Sequence, residues 1–277
     1  FNGELRPTDD AVVPIDDINF AYGFGVYETL KLRDGIVYFA DRHADRLLHS
    51  AKIIELAHPF SRTDVEEAVG RLARANDLRD ANVKMLLIGS PKVDDTEGAH
   101  LYVFMLNPLF PPRELYRAGA HAICFEGERR YPRAKSLDML TSTLAFREAR
   151  RAGAYDALLV DRDGERTEGT RTNLFYTDGN AIYEPPHDRA LLGVTKLTLG
   201  EVLEQSGIEL SERPLLRAEV GSWAGYFLTS TSSNVMPVTR IDEHHFEIPA
   251  IVRDVMKAYD SFLATYRESR EPDVAGC

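Results

Sequence analysis

Two stretches in the second half of the chain constrain the fold most. "YDALLVDRDGERTEG" and "NLFYTDGNAIYEP" each place Asp-Gly between apolar runs. That pattern predicts a β-hairpin, because glycine accepts the positive φ a tight turn requires. Further strands are predicted nearby, at "AHAICF" (120–125) and on both sides of the polar turn in "GYFLTSTSSNVMPV". Helical spacing appears in three places. "LDMLTSTLAFREARRAG" (137–153) ends at Gly153, and "TKLTLGEVLEQSG" (195–207) closes at Gly207. In "IPAIVRDVMKAYDSFLATY" (248–266), Val252, Val255, Met256, Tyr259, Phe262, Leu263 and Tyr266 line one side. The polar tail beyond it is expected to fray.

The first half reads differently. "VYETLKLRDGIVYF" (26–39) predicts two strands about an "RDG" turn, and residues 41–57 and 62–76 predict helices, the first with Asp41 as N-cap. Short apolar runs at 83–88 and 101–106 predict buried strands with a polar, acidic loop between them. "NPLFPPREL" (107–115) carries three prolines and is the best boundary. The expected class is therefore α/β (α+β): a small α/β domain over 1–112, a linker over 113–119 and a larger strand-rich domain over 120–277. No internal repeat or low-complexity segment interrupts it.

The chain has 277 residues and a net charge of −11. So acidic a chain is a poor nucleic-acid or polybasic membrane binder. It has two cysteines, Cys124 and Cys277, which argues against a disulfide framework or a cysteine metal site. With no signal peptide and no apolar run near the ~20 residues of a membrane span, the cytoplasm is the expected location.

Five features could carry chemistry. Lys135, in "RAKSLDML", is a nucleophile if its neighbours Leu137, Met139 and Leu140 lower its pKa by closing over it; alone it reads equally as a solvated lysine. Glu168, in "ERTEGTRTNLF", could hold a proton on a ring nitrogen, or be a turn glutamate. In "LLGVTK" (191–196), Gly193 permits a close turn, and the N–H groups of a helix starting at Val194 and Thr195 suit a phosphate; an ordinary helix capped by Thr195 fits too. "TSTSSNVMPV" (229–238) is either a donor-rich turn or a plain Ser/Thr loop. Arg42 opposes a helix dipole unless it grips an anion. In order, these are the groups a phosphorylated pyridine aldehyde needs: an amine, a carboxylate for the ring nitrogen and several phosphate donors.

Together "NGEL", "YGFGVYETLKL", "DRHADRLLHSAKI", "AKSLDMLTSTLA", "YDALLVDRDGERTEGTRTNLF", "LLGVTK" and "TSTSSNVMPV" resemble the class IV (fold type IV) pyridoxal-phosphate aminotransferases. The resemblance runs from about Asn2 to Asp242. It implies a small α/β domain followed by a larger pseudo-barrel domain, a homodimer, and ping-pong transfer of an amino group from a small-molecule donor to a 2-oxo acid. It also implies roles. Lys135 matches the Schiff-base lysine, and Glu168 the acid on the pyridine nitrogen. Arg42, Val194, Thr195, Thr231 and Ser232 match phosphate contacts, and Leu191 matches the residue against the ring.

Within the family, Tyr27 in "GVYE", Met139 where branched-chain enzymes carry a tyrosine, and the hydroxylic turn resemble D-amino-acid aminotransferases. "LIGSPK" departs from them, because the usual carboxylate arginine is missing. Tyr27, Thr29, Lys31 and Arg33 share a strand face by alternation, so Arg33 or Lys31 is the expected carboxylate clamp, with Lys84 a third option. Branched-chain L-amino acids, (R)-amines and aminodeoxychorismate stay open as substrates, and a catalytically silent vitamin-B6 binder is the reading from another class.

Overall fold

Alternation organises the first unit. In the computed structural model, which describes residues 1–13, 16–89 and 98–274, short helix α1 (Ile18–Tyr22) leads into strand β1 (Gly25–Arg33). Val26, Glu28, Leu30 and Leu32 are buried on one face of β1, and Tyr27, Thr29, Lys31 and Arg33 lie half-buried on the other. Next come β2 (Ile36–Val37), α2 (Ala40–Ile53), α3 (Arg62–Asn76), β3 (Ala81–Gly89) and β4 (Ala99–Leu106). The strands form an antiparallel sheet in the order β2-β1-β3-β4. Leu47, Ala51, Val65 and Val69 of the helices pack on Leu30, Val83, Met85 and Leu101 of the sheet.

Helix α3 spans the predicted 62–76 and starts in a capping box where Ser61 and Asp64 bond reciprocally. Helix α2 does not. Its N-cap is Phe39, in the left-handed region at φ 55°, because the chain turns directly out of β2. Asp41 lies inside the first turn, where its charge complements the dipole.

The second unit holds α4 (Arg113–Ala118), β5 (Ala120–Glu126), α5 (Leu140–Arg151), β6 (Asp156–Val160), β7 (Arg166–Gly169), β8 (Asn173–Thr177) and β9 (Ile182–Glu184). It continues with α6 (Val194–Gln205), β10 (Leu210–Glu212), β11 (Gly225–Ser230), β12 (Asn234–Ile241), β13 (His244–His245) and α7 (Ala250–Glu268). The strand order is β10-β9-β8-β11-β12-β5-β6-β7, and β7 also pairs with β8. That last pairing closes β8, β11, β12, β5, β6 and β7 into a ring. The seam is narrow, with Glu168 opposite Asn173 as its register pair.

Parity again sorts the core. Leu174, Tyr176, Tyr226 and Leu228 pack with Met236 and Trp223 in one cluster. Phe175 and Phe227 stack on the other face, 4.8 Å apart, against Leu199 and Leu203 of α6 and Val255 and Tyr259 of α7. Ala145 and Ala149 of α5 cover Ala157 and Leu159 of β6.

Compact unit one comprises Phe1–Leu109, Ala134–Asp138 and the segment from Ser269; unit two comprises Phe110–Arg133 and Met139–Glu268. The first change of unit falls between Leu109 and Phe110, and the division is not contiguous. Ser136 bridges Val26, so the Lys135 segment belongs to the first unit. The C-terminal segment, expected to fray, docks there too. Val37 N–H donates to Asp273 Oδ2 (2.8 Å), Val274 N–H donates to the Gly35 carbonyl (3.1 Å), and Val274 is buried. Cys277 and the "SPK" after β3 lie outside the described residues.

Candidate active site

In the first unit the Lys135 main chain is held from two sides. Its N–H donates to the buried Ser50 hydroxyl on α2 (3.1 Å), and its carbonyl accepts from Tyr27 N–H on β1 (2.9 Å). Leu137 N–H then donates to the Gly25 carbonyl (2.9 Å). So fixed, the side chain brings Nζ to 4.6 Å from the centre of the Tyr27 ring. Lys84, on neighbouring β3, brings its own Nζ to 3.8 Å from the same ring. The expected apolar cover is not what surrounds Lys135: Leu140 is exposed, and an aromatic face with a second cation stands beside the amine instead. Burial foremost, with the Lys135 charge acting the same way, holds the Lys84 amine below its ordinary value, while Tyr27 and Glu28 pull it upward.

Beneath Tyr27, on the inner face of β1, is a buried ionic group that sequence reasoning missed. Glu28 is fully buried and accepts from Arg46 Nε (2.6 Å) and Nη2 (2.8 Å) and from His43 Nδ1 (2.8 Å). Burial works against ionising Glu28, but the Arg46 and His43 contacts overcome it and hold the carboxyl well below its usual range. Burial presses His43 towards its neutral form against the pull of Glu28, and the cations Arg46 and Lys135 add to the effect. The signal was legible. A glutamate at an inward parity position needs a partner, and "RHADRL" supplies two one helical turn apart.

The three clamp candidates separate along β1. Arg33 Nη1 donates to the Leu32 and Ala81 carbonyls (2.6 and 2.5 Å) and Nη2 to Asn82 Oδ1 (3.0 Å). It binds the sheet's own backbone, roughly 20 Å along the strand from Tyr27 at 3.3 Å per residue. Lys31 shares the Tyr27 face but sits roughly 13 Å away by the same rise. Lys84 stands on the Tyr27 ring itself. Arg42 occupies the first turn of α2, its guanidinium 5.8 Å from the Phe39 ring.

In the second unit the face of β8 and β11 that packs on α6 continues past Phe175 and Phe227 into a polar row. Glu168, Asn173 and Thr229 are cross-strand partners on β7, β8 and β11, and α6 begins over them. Glu168, almost fully buried, accepts from Leu191 N–H at Oε2 (3.2 Å) and from Arg129 Nη1 at Oε1 (3.2 Å). Asn173 Nδ2 donates to the Leu191 carbonyl (2.6 Å). Gly193, the N-cap of α6, sits so close that an added Cβ would overlap Asn173 Oδ1. The cap is Gly193 and not Thr195, and no side chain caps the helix. The first N–H groups of α6 are therefore available to an anion. The start of α6 is anchored by Lys196, whose buried Nζ meets Glu184 Oε2 at 3.2 Å.

Two further details complete this region. Asp156, wholly buried, accepts from Thr170 and Thr172 and so pins the turn between Glu168 and Asn173. In the turn after β11, Ser230 and Ser233 bond each other (2.7 Å). Thr231 and Ser232 stand half-buried beside them, and the buried Thr229 hydroxyl has no hydrogen-bond partner among the described residues. Asn173, Arg129 and Asp156 were not singled out in the sequence. Asn173 lies in a polar run without period, and Arg129 is one of several arginines before Lys135. Lys135, Arg42 and the clamp candidates thus fall in the first unit, and Glu168, Leu191, Val194, Thr195, Thr231 and Ser232 in the second.

A family model described as "Amino-transferase class IV" matches residues 25–241. The D-alanine aminotransferase of Bacillus licheniformis is 31% identical over 252 residues, 87% of each chain. A putative branched-chain-amino-acid aminotransferase of Methanocaldococcus jannaschii is 31% identical over 250 residues, 87% of this chain and 86% of that one. Among solved structures, the T.th. branched-chain amino acid aminotransferase with pyridoxamine 5'-phosphate superposes with a TM-score of 0.86 at 24% identity, covering 97% of this chain and 93% of that one. The chain belongs to the class IV aminotransferases, pyridoxal-phosphate-dependent enzymes of fold type IV.

Proposed function

We propose that the chain transfers the amino group of amino acids bearing a free α-carboxylate, D-amino acids foremost, to a 2-oxo acid. The pair of lysine amines on the Tyr27 ring carries this reading. One amine does the chemistry and the other supplies the positive charge that a carboxylate needs. Among the described residues no carboxylate lies within ion-pair distance of Lys84, although its amine is half-buried. The D-preference rests on Tyr27, Met139 and the hydroxylic turn, and on a relationship to D-alanine aminotransferase as near as that to the branched-chain enzyme.

The residues fit pyridoxal phosphate. The uncapped α6, with Gly193 pressed on Asn173, and the orphaned Thr229 hydroxyl make a donor set for a phosphate, and Glu168 is an acceptor for a ring N–H. When bound, the cofactor supplies an aldehyde carbon that bonds the substrate nitrogen and a ring that accepts electrons from Cα. The N–H groups of Val194 and Thr195 and the side chains of Thr195, Arg42, Thr231 and Ser232 would hold the phosphate. Leu191 would lie against the ring, and its N–H orients Glu168. Glu168, paired with Arg129, would keep a proton on the ring nitrogen. Lys135 Nζ would hold the cofactor at rest and would move the proton at the substrate Cα as base and then acid. Lys84 orients the substrate by its carboxylate. A homodimer is part of the same reading.

A half-reaction screen tests it. D-Ala should shift the cofactor absorbance of the wild type, and L-Leu and (R)-1-phenylethylamine should do so weakly. In Lys84→Met the KM for D-Ala should rise about tenfold, the loss of one charged hydrogen bond, while the response to the carboxylate-free amine stays unchanged. A shift with L-Leu alone, or a Lys84→Met KM equal to wild type, would overturn the corresponding half of the proposal.

A further inference from the structure

On the second unit, three strand positions line up an arginine between two imidazoles. Arg240 on β12 is the register partner of His121 on β5 and of His245 on β13. Cross-strand partners stand about 5 Å apart with side chains on one face. A β-bulge creates the arrangement. The register slips between Val238 and Arg240, and the extra residue, Thr239, is seated on Gly119, where any Cβ would overlap its side chain. Bulges re-aim a side chain, and this one sets Arg240 opposite His121.

The row is one wall of a cleft of about 510 Å³ that Arg117 and Arg253 also border, with Glu247 the single carboxylate on its rim. Arg240 Nε donates to the Asp242 carbonyl (2.7 Å), which orients the guanidinium. The Asp242 carboxylate is engaged elsewhere, accepting from Cys124 N–H (2.8 Å). Arg117, Arg240 and Arg253 make no ion pair among the described residues. His121 Nε2 is buried without a hydrogen-bond partner among them. Burial, then the Arg240 charge, keeps that imidazole below its ordinary value. A chain of net charge −11 has gathered three arginines here and left them unneutralised.

We propose that this cleft binds the phosphate group of a small metabolite. Three guanidinium groups exceed what one carboxylate can accept, whereas a phosphate monoester offers up to two charges and three acceptor oxygens. The cleft is separate from the cofactor donors of the second unit. Arg240 lies roughly 26 Å along β12 from the Thr231–Ser232 turn at the strand rise of 3.3 Å.

Calorimetric titration tests this on holoenzyme saturated with pyridoxal phosphate, with inorganic phosphate and pyrophosphate as probes and succinate as a carboxylate control. Saturable binding of pyrophosphate at or below about 1 mM, weakened about tenfold in R117Q/R253Q, is expected, with little response to succinate. R240Q is the second variant and should weaken binding likewise, and both should transaminate at the wild-type rate. No saturable heat up to about 10 mM probe, equal affinity in both variants, or succinate binding as tightly as pyrophosphate would each overturn the proposal.

Discussion

Lys135 owes its place to its main chain more than to its neighbours. Two hydrogen bonds, to Ser50 and from Tyr27, fix where the side chain starts, and a fixed start makes proton transfer efficient. Lys135→Ala should lower kcat by about 10³-fold with unchanged far-UV circular dichroism. Arg33 was one of two expected clamps, with Lys31, yet its donors serve the Leu32 and Ala81 carbonyls and Asn82. Arg33→Ala should therefore leave the KM for amino acids unchanged and lower the melting temperature, a cost of about 1 to 3 kcal/mol for backbone acceptors left unpaired. The alternation of β1 correctly put Lys31 and Arg33 on the Tyr27 face. It carried no information on distance along the strand, and no local pattern could bring Lys84 to the same ring, since that contact depends on strand pairing.

At the scale of elements, the hairpins and the long helices were legible because each is specified within one window: Asp-Gly turns, a capping box, a heptad-like stripe. The ring of the second unit was not, because it closes through a short seam made of polar residues. The same seam explains Gly193. Replacing it with alanine drives a methyl group into Asn173 Oδ1 and displaces the start of α6. Gly193→Ala should weaken pyridoxal phosphate binding at least about tenfold, measured by fluorescence titration, with the sheet signal retained. The Lys135 segment escaped for a related reason. A single bridge to Val26 is too short to leave a period in the sequence.

Across the molecule, acidity has two consequences. The surface repels nucleic acid while one cleft runs against the trend. In the interior, Glu28 links stability to pH. Its carboxyl is held below the ordinary value of 4.5 in the folded chain, so the unfolded chain binds the proton more readily. The contribution is complete above pH 4.5 and is lost as pH falls below it. Glu28→Gln should cost about 3 to 5 kcal/mol at pH 7, because the buried carboxylate that accepts from Arg46 and His43 is lost. The gap to wild type should narrow below pH 4.5, as followed by thermal unfolding.

The register pair that completes the ring joins Glu168 to Asn173. Both residues also grip Leu191, ahead of α6. A ring opens most easily where its pairing is shortest. Here that point coincides with Glu168, the acid proposed for the cofactor's ring nitrogen, and with the segment that leads into α6. With Glu168 in its proposed role, loss of cofactor and opening of that seam would be one event. The holoenzyme should protect the Gly169 and Asn173 amides from hydrogen exchange far more than it protects the rest of the sheet, and vitamin supply would set how long the barrel stays shut.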